Sequence, residues 1–93
     1  MAYTKYNLTS SAWTLVANNK TSASFYNVGS YPIYVTFTST NVNPAAETVG
    51  MYIDTNGGRD KATFTGLTHV ATPTYMWARS AGGKGSTLVI ETN

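Results

Sequence analysis

The sequence predicts an all-β fold, a small antiparallel β-sandwich or jelly-roll-like barrel of about seven or eight short strands. Three observations carry that expectation. Apolar residues recur with a period of two, most clearly where Ile33, Val35 and Phe37 alternate with Tyr34, Thr36 and Thr38. Thr, Tyr and Val, which suit pleated and half-buried positions, are abundant, and almost nothing has helical period. Turn signals rich in Gly, Asn and Ser interrupt the chain at short intervals, leaving connections too short and non-helical for parallel crossover units.

Taken in order, Tyr3 to Leu8 is a first extended stretch, with residues 1–10 a candidate arm. Trp13, Leu15 and Ala17 then alternate with Thr14 and Val16 up to the turn Asn18-Asn19-Lys20. Ala23 and Phe25 alternate with Ser22, Ser24 and Tyr26 until the break at Val28-Gly29-Ser30. The strand at Ile33 follows, with Pro32 at its entrance because proline cannot donate to a ladder. Residues 39–46 form a polar connection whose Asn43-Pro44 step disfavours helix. Val49, Met51 and Ile53 restart the alternation, and 54–60 reads as a loop with glycines suited to positive backbone dihedrals. Ala62 to Gly66 reads as a short strand containing Phe64. In the next strand, Tyr75 and Trp77 face opposite Met76 and Ala78. The turn 81–85 leads to a last strand with Leu88 and Ile90 opposite Val89. Trp13 and Trp77 read as core, because further apolar residues fall in phase with both.

Ninety-three residues make one domain, 1–93, with 42% hydrophobic and 13% aromatic residues, enough for a thin core. With no cysteine, disulfides and thiolate chemistry are excluded. No apolar run approaches the roughly 20 residues that span a bilayer. The opening Met1-Ala2-Tyr3-Thr4-Lys5 lacks a signal peptide's apolar stretch, so synthesis in the cytosol is the expectation. The formal net charge is +2, but Lys5, Lys20, Arg59, Lys61, Arg79 and Lys84 are scattered rather than gathered into the stripe of a nucleic-acid binder. Charged residues are only 11%, so the surface must be mostly Thr, Ser, Asn and Tyr. Such a surface suits a rigid assembly or sugar contact.

Catalytic chemistry finds no constellation. His69 is the single histidine, with no nucleophile or orienting partner nominated beside it. Glu47, Asp54, Asp60 and Glu91 suggest no cleft in which two carboxylates flank a substrate. Asp54, Asn56 and Asp60 offer hard oxygen ligands for calcium, yet lack EF-hand spacing and match ordinary turn formers. The cluster Gly82, Gly83 and Gly85 precedes a strand, so the helix N-terminus of a phosphate loop is missing. No enzyme activity and no cofactor are therefore expected. The interface candidates are Tyr3, Tyr6, Tyr26, Tyr34, Tyr52 and Arg79, since tyrosine and arginine are enriched where protein surfaces meet. Exposed tyrosines also allow sugar stacking.

Several stretches carry a resemblance: Trp13-Thr14-Leu15-Val16-Ala17, the segment Asn27-Val28-Gly29-Ser30-Tyr31-Pro32 entering a strand, and the late Ala78-Arg79-Ser80-Ala81-Gly82 before the last strand. In these the chain resembles small all-β virion proteins of tailed bacteriophages, which serve as head decoration, neck, tail or fibre components. The resemblance implies a hairpin at Asn27, Gly29 and Pro32, and a structural role without catalytic residues. The expected function is capsid decoration: the domain binds the outer head shell and bridges capsid subunits. The alternatives are a tail, neck or fibre component, or a carbohydrate-binding module contacting host glycans through tyrosines. The implied partners are the major capsid protein or other virion proteins, with a homotrimer favoured and the virion as the location. Membrane and specific nucleic acid are not expected as partners.

Overall fold

A computed structural model describes residues 3–92. Eight antiparallel strands form two four-stranded sheets: β1 (Thr4–Leu8), β2 (Thr14–Asn18), β3 (Ser22–Asn27), β4 (Ile33–Thr38), β5 (Met51–Ile53), β6 (Gly58–Thr63), β7 (Tyr75–Ser80) and β8 (Ser86–Thr92). One sheet has the order β1-β8-β3-β6 and the other β2-β7-β4-β5. The sheets face each other as a sandwich and do not close into a barrel. The stretch 4–8, part of the candidate arm, pairs along its whole length with β8, from Thr4 opposite Ile90 to Leu8 opposite Ser86.

Only β4 and β5 are both consecutive and paired; every other connection carries the chain from one sheet to the other. The segment Asn27 to Pro32 is therefore not a hairpin. β3 pairs with β6 and β8, whereas β4 pairs with β5 and β7. This segment is a crossover, and the turn residues that suit a hairpin serve here to change layers.

The core lies between the sheets and is built by the expected alternation. β4 turns Ile33, Val35 and Phe37 inward, and β7 turns Met76 and Ala78 inward. Leu88 and Ile90 of β8 and Ala23 and Phe25 of β3 meet them from the opposite sheet. Beyond β6, the predicted strand at 62–66 ends early. Phe64–Gly66 is a single 3-10 turn that lowers the Phe64 ring into the core, 4.9 Å from Phe37. β6 starts at Gly58, so Arg59 and Asp60 belong to a strand rather than to the loop read from the sequence.

Two bulges shift registers that strict alternation does not reveal. In β2 the register slips between Leu15 and Ala17, so Val16 and Ala17 are both buried in the core. Leu15 and Trp13 then lie on the outer face, contrary to a single stripe of Trp13, Leu15 and Ala17. An extra residue on one strand reverses the facing of everything beyond it. In β6 the slip lies opposite Ser24, with Lys61 at a positive φ of 49°. Ser24 Oγ accepts the Lys61 N–H at 2.8 Å and donates to Asp60 Oδ1 at 3.0 Å, closing the bulge. That pair of bonds accounts for a serine only 4% exposed on the outer side of β3.

Candidate functional site

The outer side of β2-β7-β4-β5 carries Tyr34, Tyr52, Tyr75 and Trp77, with Trp13 just before β2. Since Met76 and Ala78 point inward, Trp77 points outward, opposite Leu15 on one side and Thr36 on the other. Trp13 precedes Leu15 on the same face. Both indoles are nevertheless only 5% exposed, and neither joins the inter-sheet core. The placement read from the sequence, two core tryptophans, is thus corrected to a second packed layer outside the sheet.

The long β4–β5 connection, residues 39–50, makes that layer. Trp13 Nε1 donates to the Glu47 carbonyl at 2.8 Å, and Asn43 Nδ2 donates to the Trp13 carbonyl at 3.4 Å. Gly50 packs so tightly that a Cβ there would sit 2.3 Å from the Val35 carbonyl oxygen and 3.2 Å from the Trp13 ring. Trp77 Nε1 donates to Thr38 Oγ1 at 2.9 Å, and that hydroxyl donates to the Thr40 carbonyl at 2.7 Å, anchoring the start of the connection. The strap's own valines, Val42 and Val49, stay exposed at 66% and 61%.

Arg79, an interface candidate by sequence, is engaged within its own chain. Its guanidinium lies 5.4 Å from the Trp13 ring centroid and donates to the Ser10 carbonyl. Tyr34 and Tyr52 are directly opposite across β4 and β5, with ring centroids 6.1 Å apart in an edge arrangement. Tyr52 is 54% exposed, so this pair forms the open end of the aromatic face.

On the other sheet, Lys5, Val89 and Tyr26 form one row across the outer face of β1, β8 and β3. Tyr3, 48% exposed, lies against Tyr26 with centroids 6.2 Å apart. Desolvation, then the Asp60 carboxylate and the Tyr3 ring, raise the Tyr26 hydroxyl above its ordinary pKa, so it is neutral at physiological pH. Its folded pKa exceeds its unfolded one, so its contribution is complete below about pH 10 and is lost as pH rises through the folded value. Tyr26→Phe is expected to flatten the loss of stability above pH 10, read from denaturant midpoints across that range.

Tyr6 points toward the sandwich interior and is half-buried. It borders a cleft of about 460 Å³ at the β1–β2 edge, lined also by Val16, Ala17, Lys20 and Ile90. A shallower hollow of about 240 Å³ lies beside Pro73 and is lined by threonines including Thr21, Thr63 and Thr72.

A buried polar knot that the sequence did not announce ties the crossover to both sheets. Asn27 is wholly buried, and its Nδ2 donates to the Tyr31 carbonyl at 2.8 Å, with the Asp54 carbonyl at 3.3 Å. Its Oδ1 accepts the Gly29 N–H at 3.0 Å. Ser86 Oγ lies 3.1 Å from Asn27 Oδ1 and 2.7 Å from the Tyr31 carbonyl, donating its one proton to either. A Cβ on Gly29 would sit 2.1 Å from that Ser86 oxygen, so a residue larger than glycine does not fit. The only signal in the sequence was the Asn-x-Gly spacing, which marks a turn without revealing its burial.

The calcium candidates are dispersed in role. Asp54 Oδ1 accepts the Thr55 N–H at 2.8 Å in the β5–β6 turn, Asn56 takes a positive φ of 62°, and Asp60 serves the β6 bulge. Among the described residues, no three His, Cys, Asp or Glu side chains gather as metal ligands, and His69 lies exposed beyond the 3-10 turn. The surface carries two tyrosine pairs, one on each outer sheet face, beside the open strand edges. No family model matches the chain, and no curated protein or solved structure matches it either.

Proposed function

We propose that this domain is a bacteriophage virion structural protein of the capsid-decoration kind, binding the outer head shell and bridging capsid subunits without chemistry. The observation that carries this reading is the pair of tyrosine clusters on opposite faces, Tyr3 with Tyr26 and Tyr34 with Tyr52. A bridging domain needs two separate contact surfaces, and tyrosine is among the residues enriched where protein surfaces meet. The strand order β1-β8-β3-β6 against β2-β7-β4-β5 follows a jelly-roll winding, an architecture that viral capsid proteins and lectins use. With only 11% charged residues, docking through such faces depends little on salt. A tail, neck or fibre position would use the same faces at lower copy number.

Quantitative mass spectrometry of purified particles, scaled to the major capsid protein, tests the reading. Hundreds of copies per particle are expected; a dozen or fewer moves the protein to the neck, tail or fibre, and absence removes the virion role. The second reading, a carbohydrate-binding module, draws on the open Tyr34–Tyr52 pair as a stacking platform. It requires measurable glycan binding by the isolated protein that Tyr52→Ala abolishes.

A further inference from the structure

Four strand edges lack a neighbour within the described chain: β1 and β6 in one sheet, β2 and β5 in the other. An unpaired edge is a template for another strand, and proteins blunt such edges with bulges, charges or shortness. Three of the four are blunted. β2 is bulged between Leu15 and Ala17, and β5 is only three residues long. β6 is bulged, holds Lys61 at positive φ and runs Arg59-Asp60-Lys61. β1 has no bulge and no proline, and one lysine is its only charge; its register with β8 is unbroken over five residues. Beside it lies the cleft of about 460 Å³, lined by Thr4 and Tyr6 of β1 together with Val16, Lys20 and Ile90.

We infer that β1 is a self-association strand, pairing antiparallel with β1 of a second copy about a two-fold axis at Tyr6. Directly opposite residues in an antiparallel pair share a face, so the register must keep inward residues opposite inward ones. Centring on Tyr6 overlaps all of Thr4–Leu8 and sets Lys5 opposite the partner's Asn7. Centring on Lys5 would place two lysines in direct opposition, which is destabilising. The Tyr6 register also brings the two Tyr6 rings side by side beside the clefts that each of them borders. The two β1-β8-β3-β6 sheets then join into one continuous sheet, an isologous interface that closes as a dimer and not as the trimer expected from the sequence. Pairing of this kind does not depend on whether the protein sits on a particle.

The test is sedimentation equilibrium of the full chain from low micromolar to several hundred micromolar, since a five-residue ladder belongs among small, transient interfaces. A concentration-dependent monomer–dimer equilibrium is expected. Asn7→Lys should weaken it at least tenfold, because Lys5 then faces a lysine, while Asn7 is exposed and the fold is retained. Lys5→Glu combined with Asn7→Lys should restore dimerisation, because the opposed charges are again complementary. Circular dichroism and melting of each variant keep loss of pairing distinct from loss of fold. A monomer throughout the range, a trimer, or a dimer indifferent to Asn7→Lys overturns the inference; in the first case the edge is left to a strand from a different protein.

Discussion

Asn27→Ala is expected to lower folding stability by about 3–5 kcal/mol, because it empties a wholly buried site and removes the partner of groups on both sides of the crossover. The Gly29 N–H loses its acceptor, the Tyr31 and Asp54 carbonyls lose the Asn27 amide, and Ser86 Oγ keeps only the Tyr31 carbonyl, at 2.7 Å. Each unsatisfied buried group costs about 1–3 kcal/mol, and a small domain has a total margin of only about 5–15 kcal/mol. Asn27→Asp separates the donor's contribution from the acceptor's. It keeps the acceptor for Gly29 but aims a carboxylate oxygen at the Tyr31 and Asp54 carbonyls, where Nδ2 had donated. Burial and those carbonyls would raise the new carboxyl's folded pKa above its unfolded value. The variant's stability is therefore greatest at low pH and is lost as pH rises through the folded pKa. Denaturant unfolding at pH 4 and pH 7 checks this. If alanine costs less than about 1 kcal/mol, or if aspartate shows no recovery in acid, the knot is not what holds the crossover.

The sandwich was legible where one face of a strand is apolar and the other polar. β4 is the clearest instance: Ile33, Val35 and Phe37 are buried and Tyr34, Thr36 and Thr38 are not, as a period of two demands. β7 was legible in its alternation but not in its facing. Tyr75, Trp77 and Arg79 on one side oppose Met76, Ala78 and Ser80 on the other, and both sides carry apolar bulk. The larger side chains looked like core, yet the space between the sheets takes the smaller Met76 and Ala78, and the indole went to the outer layer. The two bulges were hidden because an extra residue in β2 or β6 is defined by the partner strand, not by the strand's own pattern.

The crossover at Asn27 failed as a hairpin for a related reason. Asn, Gly and Pro specify a local reversal, but whether the joined strands pair depends on β8, nearly sixty residues later in the chain, which takes the place beside β3. The outward facing of the tyrosines on β3, β4 and β5 was legible, since each alternates with core residues of its strand. Tyr6 and Arg79 differ from the rest: Tyr6 turns inward to a cleft, and Arg79 is held by Trp13 and Ser10. The strap was legible only as a polar connection, because the groups that fasten it, the Glu47 carbonyl and the Trp13 carbonyl, are backbone atoms without residue-type signature.

Trp13→Ala is expected to cost about 3–5 kcal/mol, as large as a deletion from the inter-sheet core, although the indole lies outside it. Its ring is 5% exposed, sits under the Arg79 guanidinium and packs against Gly50, so truncation opens a cavity beneath residues 39–50. Trp13→Phe isolates the hydrogen bond. The ring's bulk is largely kept, and the Glu47 carbonyl that loses its donor sits in an exposed part of the strap where water can replace it. That variant should cost only about 0.5–1.5 kcal/mol. In it Trp77 is the sole tryptophan, so its fluorescence reports on the layer: acrylamide quenching should remain low in Trp13→Phe and rise several-fold in Trp13→Ala. A low cost for alanine with unchanged quenching of Trp77 would mean that the strap packs independently of Trp13. The outer face would then be a bare sheet surface carrying a loosely held loop, and the packed layer outside the sheet would have to be redrawn around Trp77 alone.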